Sequence, residues 1–444
     1  MRVLAGVAMV LAACYSPSPM AGGPCSAAGE CPEGQSCDTT QTPPTCVAAL
    51  IDASIDASLD CVTSNDCSNA NLPVCDDVVH QCRGCRADAE CNGICTEYNG
   101  VCVGNGQSIF VSPTGTDGGN CMATSPCRTF SFAMQQMTAN RRTIRVGDGE
   151  YMSSGSPALA VTDTSGRIVF SGEDADPNGA FFTAVSNGST NPVTVQFQAS
   201  TDVVIEGITV RNGTNDGVRV QGAALLSRMT IQGNLQRGID HQPNNMAALH
   251  IWDSLIENNQ EGINSNDGSI EVLRSVVRGN RNGGIQVQKS TTTLISTLVV
   301  RNGATNSPYG GLRLIQLTGQ SVIAFVTVAF NTASSSTAPG IASDTLAIDA
   351  SIITDNVNAV IPSPQICPGC TATYSLFSGT PPIGMGNIAG PAGFVDEANN
   401  DFHLMATSAA RDAGNPAGSV IYDLDGDKRP LGDGYDIGAD EIVP

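Results

Sequence analysis

The chain has 444 residues, too many for one small domain, with 21 basic against 42 acidic side chains and a formal charge of −21. A surface of that sign repels phosphate backbones, which sets nucleic acid aside as a partner. One tryptophan against 48 glycines, in a sequence also rich in Asn, Ser and Thr, argues against a helical build and for a turn-rich β protein.

The N-terminus has the form of a signal peptide over residues 1–13, with Arg2 followed by an apolar stretch at 3–13. A membrane span takes about 20 apolar residues, so this stretch is too short to be one. It closes on Leu11-Ala12-Ala13-Cys14, which resembles a bacterial lipobox, where the cysteine thiol is acylated and becomes the new N-terminus. The alternative is an ordinary signal peptide with a chance cysteine. Lipidated Cys14 implies a membrane partner through the lipid and a tether over 14–24. Ser16, two places on, implies by the same resemblance the outer membrane or cell surface. The count agrees: 17 cysteines is odd, and removing Cys14 leaves an even set that can all pair in an oxidising, exported compartment.

Three sets of four cysteines follow. Cys25, Cys31, Cys37 and Cys46 form the first (25–46); Cys61, Cys67, Cys75, Cys82 and Cys85, Cys91, Cys95, Cys102 form the second and third (61–102). Each opens with C-x5-C. Units this small bury too little to fold unaided, so disulfides staple them into separate stalk modules. Zinc would need close C-x2-C knuckles in pairs, which only Cys82-Arg83-Gly84-Cys85 approaches. The pairing is not readable from spacing. The sets resemble small cysteine-rich repeats of bacterial lipoproteins. Between the first two, residues 47–60 hold a low-complexity acidic run that reads as a linker.

The main domain is expected over 108–405. Residues 109–115 read as strand and turn; Phe130, Ala133, Met134 and Met137 have helical spacing; Thr143 to Val146 resumes as strand. Cys121 and Cys127 bracket a loop and are expected to pair. An internal repeat comes next. Each unit runs from an apolar residue through a small residue and an apolar pair to Asn: Leu226 to Asn234, Ile251 to Asn259, Val272 to Asn280, Leu294 to Asn302, Ile323 to Asn331, Ile348 to Asn356. A seventh, Ile205 to Asn212, is one residue shorter. Most are followed by Gly and an apolar residue, as in Gly238-Ile239 and Gly262-Ile263. Coils of this length cannot bury an apolar side alone, but stacking them does. Asn suits the turn because it tolerates left-handed backbone angles, and its amide can bond to the Asn above and below. A leucine-rich repeat needs a denser leucine frame, and a propeller blade is about twice as long.

Residues 108–405 thus resemble the pectin-lyase-like right-handed parallel β-helix family. The fold class expected is all-β, a parallel β-helix solenoid with an N-terminal capping strand and helix, preceded by disulfide-rich modules. The C-terminal 406–444, with Asp423-Leu424-Asp425-Gly426-Asp427 and Asp436-Ile437-Gly438-Ala439-Asp440, looks like a tail or cap of bacterial surface β-helices. The resemblance is specific for fold and weak for activity, because this fold hosts lyases, hydrolases, adhesins and scaffolds.

Polygalacturonase-type hydrolases of the fold carry Asn-x-Asp, Asp-Asp, His-Gly and Arg-x-Lys on adjacent coils. Here Asn215-Asp216-Gly217 is a faint echo and the rest is missing. Asp216, Arg219 and Asp240 are the catalytic candidates, since hydrolysis needs two placed carboxylates and lyases a basic residue; solvated turn residues are the plainer reading. Aligning coils on the Gly-apolar pair gives an outward row, Arg219, Asp240, Asn264, Gln286, Arg313, and a second, Gln221, Gln242, Asn266, Gln288. Such amides and charges suit sugar hydroxyls, or simply bond to one another. His241 points inward as a structural histidine. Asp423, Asp425 and Asp427 alternate like ligands for Ca²⁺, although the glycine comes too early for an EF-hand loop. Cys367-Pro368-Gly369-Cys370 reads as a structural disulfide rather than a redox pair. No cofactor is required. The expectation is a lipid-anchored surface protein that binds polysaccharide or matrix, or serves as structural display. The alternative is a tethered polysaccharide lyase or glycoside hydrolase acting on acidic polysaccharide.

Overall fold

The computed structural model describes residues 61, 63–69, 71–76, 81–172, 179–244, 246–334, 339–358 and 365–443, and two further strands, Gln35–Asp38 and Thr45–Ala48. The signal peptide, Cys14, the tether 14–24 and the acidic run at 51–60 lie outside the described residues. The two early strands pair antiparallel, with Cys37 opposite Cys46.

From Ser108 to Ala389 the chain winds a parallel solenoid in which each coil lays down three short strands. Face A carries strands such as Val218–Val220, Arg237–His241 and Leu312–Ile315. Face B carries Ile168–Gly172, Asp202–Glu206, Ala223–Ser227 and Ala248–Trp252. Face C carries Thr230–Gln232, Leu255–Glu257 and Val276–Arg278. Faces A and B belong to one 17-stranded sheet, because Glu261–Leu273 and Ile285–Ile295 run unbroken over the corner between them. Face C is an 11-stranded sheet of its own. Alternate side chains point inward and stack at fixed register: Val218 on Ile239, Ile263, Ile285, Leu312 and Ile341, all 0 % exposed. One coil could not shield these residues; its neighbours on both sides do.

Two corners set the repeat. At the B-to-C corner a single residue takes left-handed angles, φ between 44° and 63° at Gly207, Arg228, Asp253, Arg274, Ser296, Phe325, Ala350 and Tyr374. The small residue of the repeat sits just past it and ties coil to coil: the backbone N–H of Ser254 donates to Ser275 Oγ at 3.1 Å, and that of Ser351 to Ser375 Oγ at 3.1 Å. At the C-to-A corner the asparagines form the expected ladder. Nδ2 of Asn234, Asn259, Asn280, Asn302 and Asn331 donates to Oδ1 of the next Asn at 2.8–3.1 Å. Asn356 closes the row on Gln365 Oε1 at 2.9 Å. Each Oδ1 also accepts the backbone N–H of the preceding rung, as Asn280 Oδ1 does from Asn259 at 3.0 Å.

The backbone reason offered for these asparagines needs correction. The left-handed residue is the one before the ladder position: Gly233, Asn258, Gly279, Arg301, Phe330 and Asp355, at φ 54–66°. The ladder asparagines are chosen for their amides. Asn212, in the short unit, is itself left-handed (φ 55°), and Gly213 takes its ladder place and donates its N–H to Asn234 Oδ1 at 2.9 Å. The recurring glycine follows from close approach. A Cβ at Gly238 would lie 2.8 Å from both the Gly262 carbonyl oxygen and Asn259 Nδ2.

The N-terminal end of the solenoid is closed, and the C-terminal tail covers its flank. The helix Phe130–Gln135, capped by Thr129, lays Phe130 against Tyr151 and Phe182 at 5.1 and 5.2 Å between ring centres. Beyond the last coil, Phe394–Asp396 pairs antiparallel with Asp401–Leu404. Phe394, Phe402 and Ile437 pack with Leu298, Ala329, Ile352 and Leu376, on the outer side of face C.

The described cysteines from Cys61 to Cys370 are disulfide-bonded. Cys67 pairs with Cys82, Cys85 with Cys95, Cys91 with Cys102, Cys121 with Cys127 and Cys367 with Cys370. The third set is not a detached stalk module. It runs directly into the strand Ser108–Val111 and lies on face B, where Asp88 pairs with Arg145, Glu97 with Arg228, and the Tyr98 N–H donates to Glu206 at 3.0 Å. Glu206 is 1 % exposed, and burial pushes its carboxyl up against the opposing pull of Arg228.

Candidate functional site

The outward row of face A falls in one register: Arg219 beside Asp240, then Asn264, Gln286 and Arg313. Its members bond to one another. Arg219 Nε approaches Asp240 Oδ2 at 3.3 Å, Asn264 Nδ2 donates to Asp240 Oδ1 at 3.0 Å, Gln286 Nε2 to Asn264 Oδ1 at 2.9 Å, and Arg313 Nη1 to Gln286 Oε1 at 2.6 Å. The row is therefore a polar ladder whose middle is covered, with Asp240 2 % and Asn264 6 % exposed. Its guanidinium ends reach solvent. In the second row Gln242 Nε2 donates to Asp240 at 3.0 Å and Gln288 Nε2 to Gln316 Oε1 at 3.1 Å. Asn266 stands opposite Gln288, and Gln221 is half-buried at the end of the strand Val218–Val220.

Charge gathers at the Arg219 end. Arg219 also holds Asp216 at 2.6 Å, while Arg237 bridges Asp240 at 3.0 Å and Glu261 at 3.2 Å. The buried Tyr309 hydroxyl donates to Glu261 at 2.6 Å. Sequence reasoning missed Arg237, Glu261 and Tyr309. Arg237 sits where the turn enters the strand, outside the Gly-apolar frame, and Tyr309 reaches Glu261 from a loop 48 positions away.

This arrangement disfavours catalysis by its own members. Both carboxylates of the Asp216 and Asp240 pair are ion-paired on the protein side. A lyase base must first give up its proton. Burial weakens the charge on Arg237, yet Asp240, Asp216 and Glu261 together outweigh burial and raise its pKa. What the row can do is present guanidinium donors in fixed positions.

The other expected sites resolve separately. His241 is fully buried, with Nδ1 2.9 Å from Ser265 Oγ, and burial lowers its pKa to about 4. Asp423, Asp425 and Asp427 do not converge. Asp423 is buried, with Oδ1 accepting the N–H groups of Asp425 and Asp427 and Oδ2 that of Glu441. Asp427 is exposed. Asp425 turns to His403 at 2.9 Å, and these two with Asp440 bring three donor atoms within 4.8 Å of one another. They border a cleft of about 510 Å³ between face C and the tail, floored by Leu255, Val276 and Leu298. Burial disfavours the His403 imidazolium, but Asp401 and Asp425 prevail and hold its pKa at about 9. Burial lifts Asp440 to about 6. Ca²⁺ prefers six or more oxygen ligands, a set these residues alone do not complete.

No family model matches the chain, and no curated protein matches it. Among solved structures, the crystal structure of pectate lyase Pel9A superposes with a TM-score of 0.55 at 16 % identity, over 76 % of this chain and 96 % of that one. The fold is the pectate-lyase-like parallel β-helix. At that identity the likeness speaks to fold alone. No helix among the described residues is long and apolar enough to cross a membrane.

Proposed function

We propose that the protein is an exported, lipid-anchored β-helix that binds an extended polysaccharide along face A without transforming it. The observation that carries this reading is the bonded row from Arg219 to Arg313. It fixes guanidinium groups at both ends, with Arg237 beside them, on one outward face of stacked coils. Coils stack at roughly 4.8 Å, close to the length of one sugar unit, so a chain lying along the axis meets equivalent positions in step. Guanidinium favours carboxylate partners through paired N–H donors, so uronate-bearing chains are the expected class. The disulfides support an exported protein. Cys14, with the lipobox before it, supplies the anchor.

The test is binding of polygalacturonate and alginate to wild type and to the double variant Arg219→Ala with Arg313→Ala. A charge-assisted hydrogen bond contributes about 1.5–3 kcal/mol, so the double variant should bind at least roughly tenfold more weakly. Asn264→Ala with Gln286→Ala should weaken binding less, because those amides act by holding the arginines. Unchanged affinity in the arginine variant sinks the proposal. Release of unsaturated uronates or reducing ends by wild type, abolished in Arg219→Ala, would favour the tethered lyase or hydrolase instead.

A further inference from the structure

We infer that a second carbohydrate site lies on face B, in the cleft between the third cysteine-rich set and Trp252, and that it takes a neutral sugar. The cleft encloses about 530 Å³, and Tyr98, Asn99, Arg167, Asp202, His250 and Trp252 supply its aromatic and polar walls. Its floor is made of small and aliphatic outward residues of neighbouring coils. Val204 and Leu225 stand side by side in one row, and Ala223 beside Asp202 in the next. Tyr98 and Trp252 pack against the same aliphatic patch of Val169, Val204 and Leu225, so the two rings bound one depression.

Trp252 is the one tryptophan of the chain, and it stands half-buried on an outer sheet face rather than in the core. Its orientation is fixed. The indole Nε1 donates to Glu271 Oε1 at 2.8 Å, and the same oxygen lies 3.0 Å from His250 Nδ1, whose ring meets the indole edge-on. With the N–H engaged, what the indole offers a ligand is its ring face, the surface on which the C–H side of a pyranose packs. Asn99 has its carbonyl oxygen engaged by the Thr96 hydroxyl at 2.8 Å and the Val101 N–H at 3.2 Å, which leaves the amide hydrogens as donors. Arg167 and Asp202 at the rim are paired at 3.1 Å and both exposed. An apolar floor, oriented aromatic faces and a few polar groups at the edge are what a sugar ring requires.

The charge decides the class of sugar. Arg167 at this cleft is paired with Asp202, and His250 is hydrogen-bonded to Glu271 beside it at 3.0 Å. No uncompensated cation draws a uronate here, in contrast to Arg313 of face A, whose guanidinium bonds an amide, Gln286, rather than a carboxylate. The carboxylates can accept from hydroxyls while they keep their partners.

The single tryptophan makes the test direct. Emission of the full-length protein is followed during titration with the neutral hexasaccharides cellohexaose, xylohexaose and mannohexaose, and with hexagalacturonate. A saturable change is expected with at least one neutral sugar and none with the uronate. The change should vanish in Tyr98→Ala, and in Ala248→Lys, which fills the cleft from the strand Ala248–Trp252 and leaves the docking contacts of the cysteine-rich set untouched. It should persist in Arg219→Ala with Arg313→Ala, which separates this site from the face A row. The inference is overturned if no neutral hexasaccharide gives a saturable response, if hexagalacturonate gives the same one, or if a folded Tyr98→Ala or Ala248→Lys responds as wild type does.

Discussion

Asn280 and Asn212 occupy matching places in the written repeat and do different work in the fold. Asn280 Oδ1 accepts from both the backbone N–H and the side-chain amide of Asn259, at 3.0 and 3.1 Å, and its own amide donates to Asn302 Oδ1 at 2.9 Å and to the Ile256 carbonyl at 3.1 Å. Removing it orphans two donors in a fully buried row. Each such loss costs about 1–3 kcal/mol, so Asn280→Ala should lower stability by about 2–4 kcal/mol in urea unfolding. Asn212 is chosen for its left-handed backbone, and it is exposed. Asn212→Gly should therefore be close to neutral, since glycine adopts that conformation freely. Similar losses at the two positions would show that the amide row is not what selects asparagine. The same distinction holds at Gly238, where the next coil's carbonyl, not a positive φ, excludes a side chain.

Among the elements, the C-terminal tail carries the clearest pH dependence. His403 sits between Asp401 and Asp425 at 2.6 and 2.9 Å, and its pKa rises to about 9 from an ordinary value near 6.5. A raised imidazole pKa means stability that is complete below about 6.5 and is lost as pH climbs through 9. Its side chain is half exposed, so solvent screening limits the gain to about 1 kcal/mol. Asp440 acts in the same direction at lower pH: burial lifts its carboxyl to about 6, so stability falls as pH rises from about 3.8 through 6 and is regained as it protonates. His403→Gln should thus unfold at a lower temperature than wild type at pH 6 and at nearly the same temperature at pH 10. A deficit that is equal at both pH values would assign His403 a packing role only. These elements also show what the sequence made legible. The strands of the solenoid recur with one register, so inward and outward rows could be written down from the Gly-apolar pair, and the row from Arg219 to Arg313 follows from that register. The His403 cluster has no periodic counterpart. It joins Asp401 and His403 to Asp425 across 22 positions, through a tail that no repeat describes.

For the whole molecule, the long-range contacts that give the third cysteine-rich set its place were invisible for the same reason. Tyr98 meets Glu206 across 108 positions, and Glu97 meets Arg228 across 131. A set of four cysteines at regular spacing reads as a free module, while the face it covers is set by a few charges scattered through distant coils. Cysteine parity, by contrast, is a property of the entire chain and yields a whole-molecule prediction. The described cysteines, from Cys61 to Cys370, are all disulfide-bonded. The four of the first set are the even remainder, expected to pair among themselves, which leaves Cys14 as the odd residue of the 17. If Cys14 is acylated, the exported protein has no free thiol, because its sulfur is in a thioether. Thiol counting in denaturant without reductant should give zero for wild type and zero for Cys14→Ser, while only wild type partitions into detergent. One thiol per chain in wild type, removed by Cys14→Ser, would show that Cys14 is unmodified and that the anchor is absent. Two or more thiols in either protein would instead mean that a structural pair stays reduced, and the exported, oxidised state of the whole chain would then need revision.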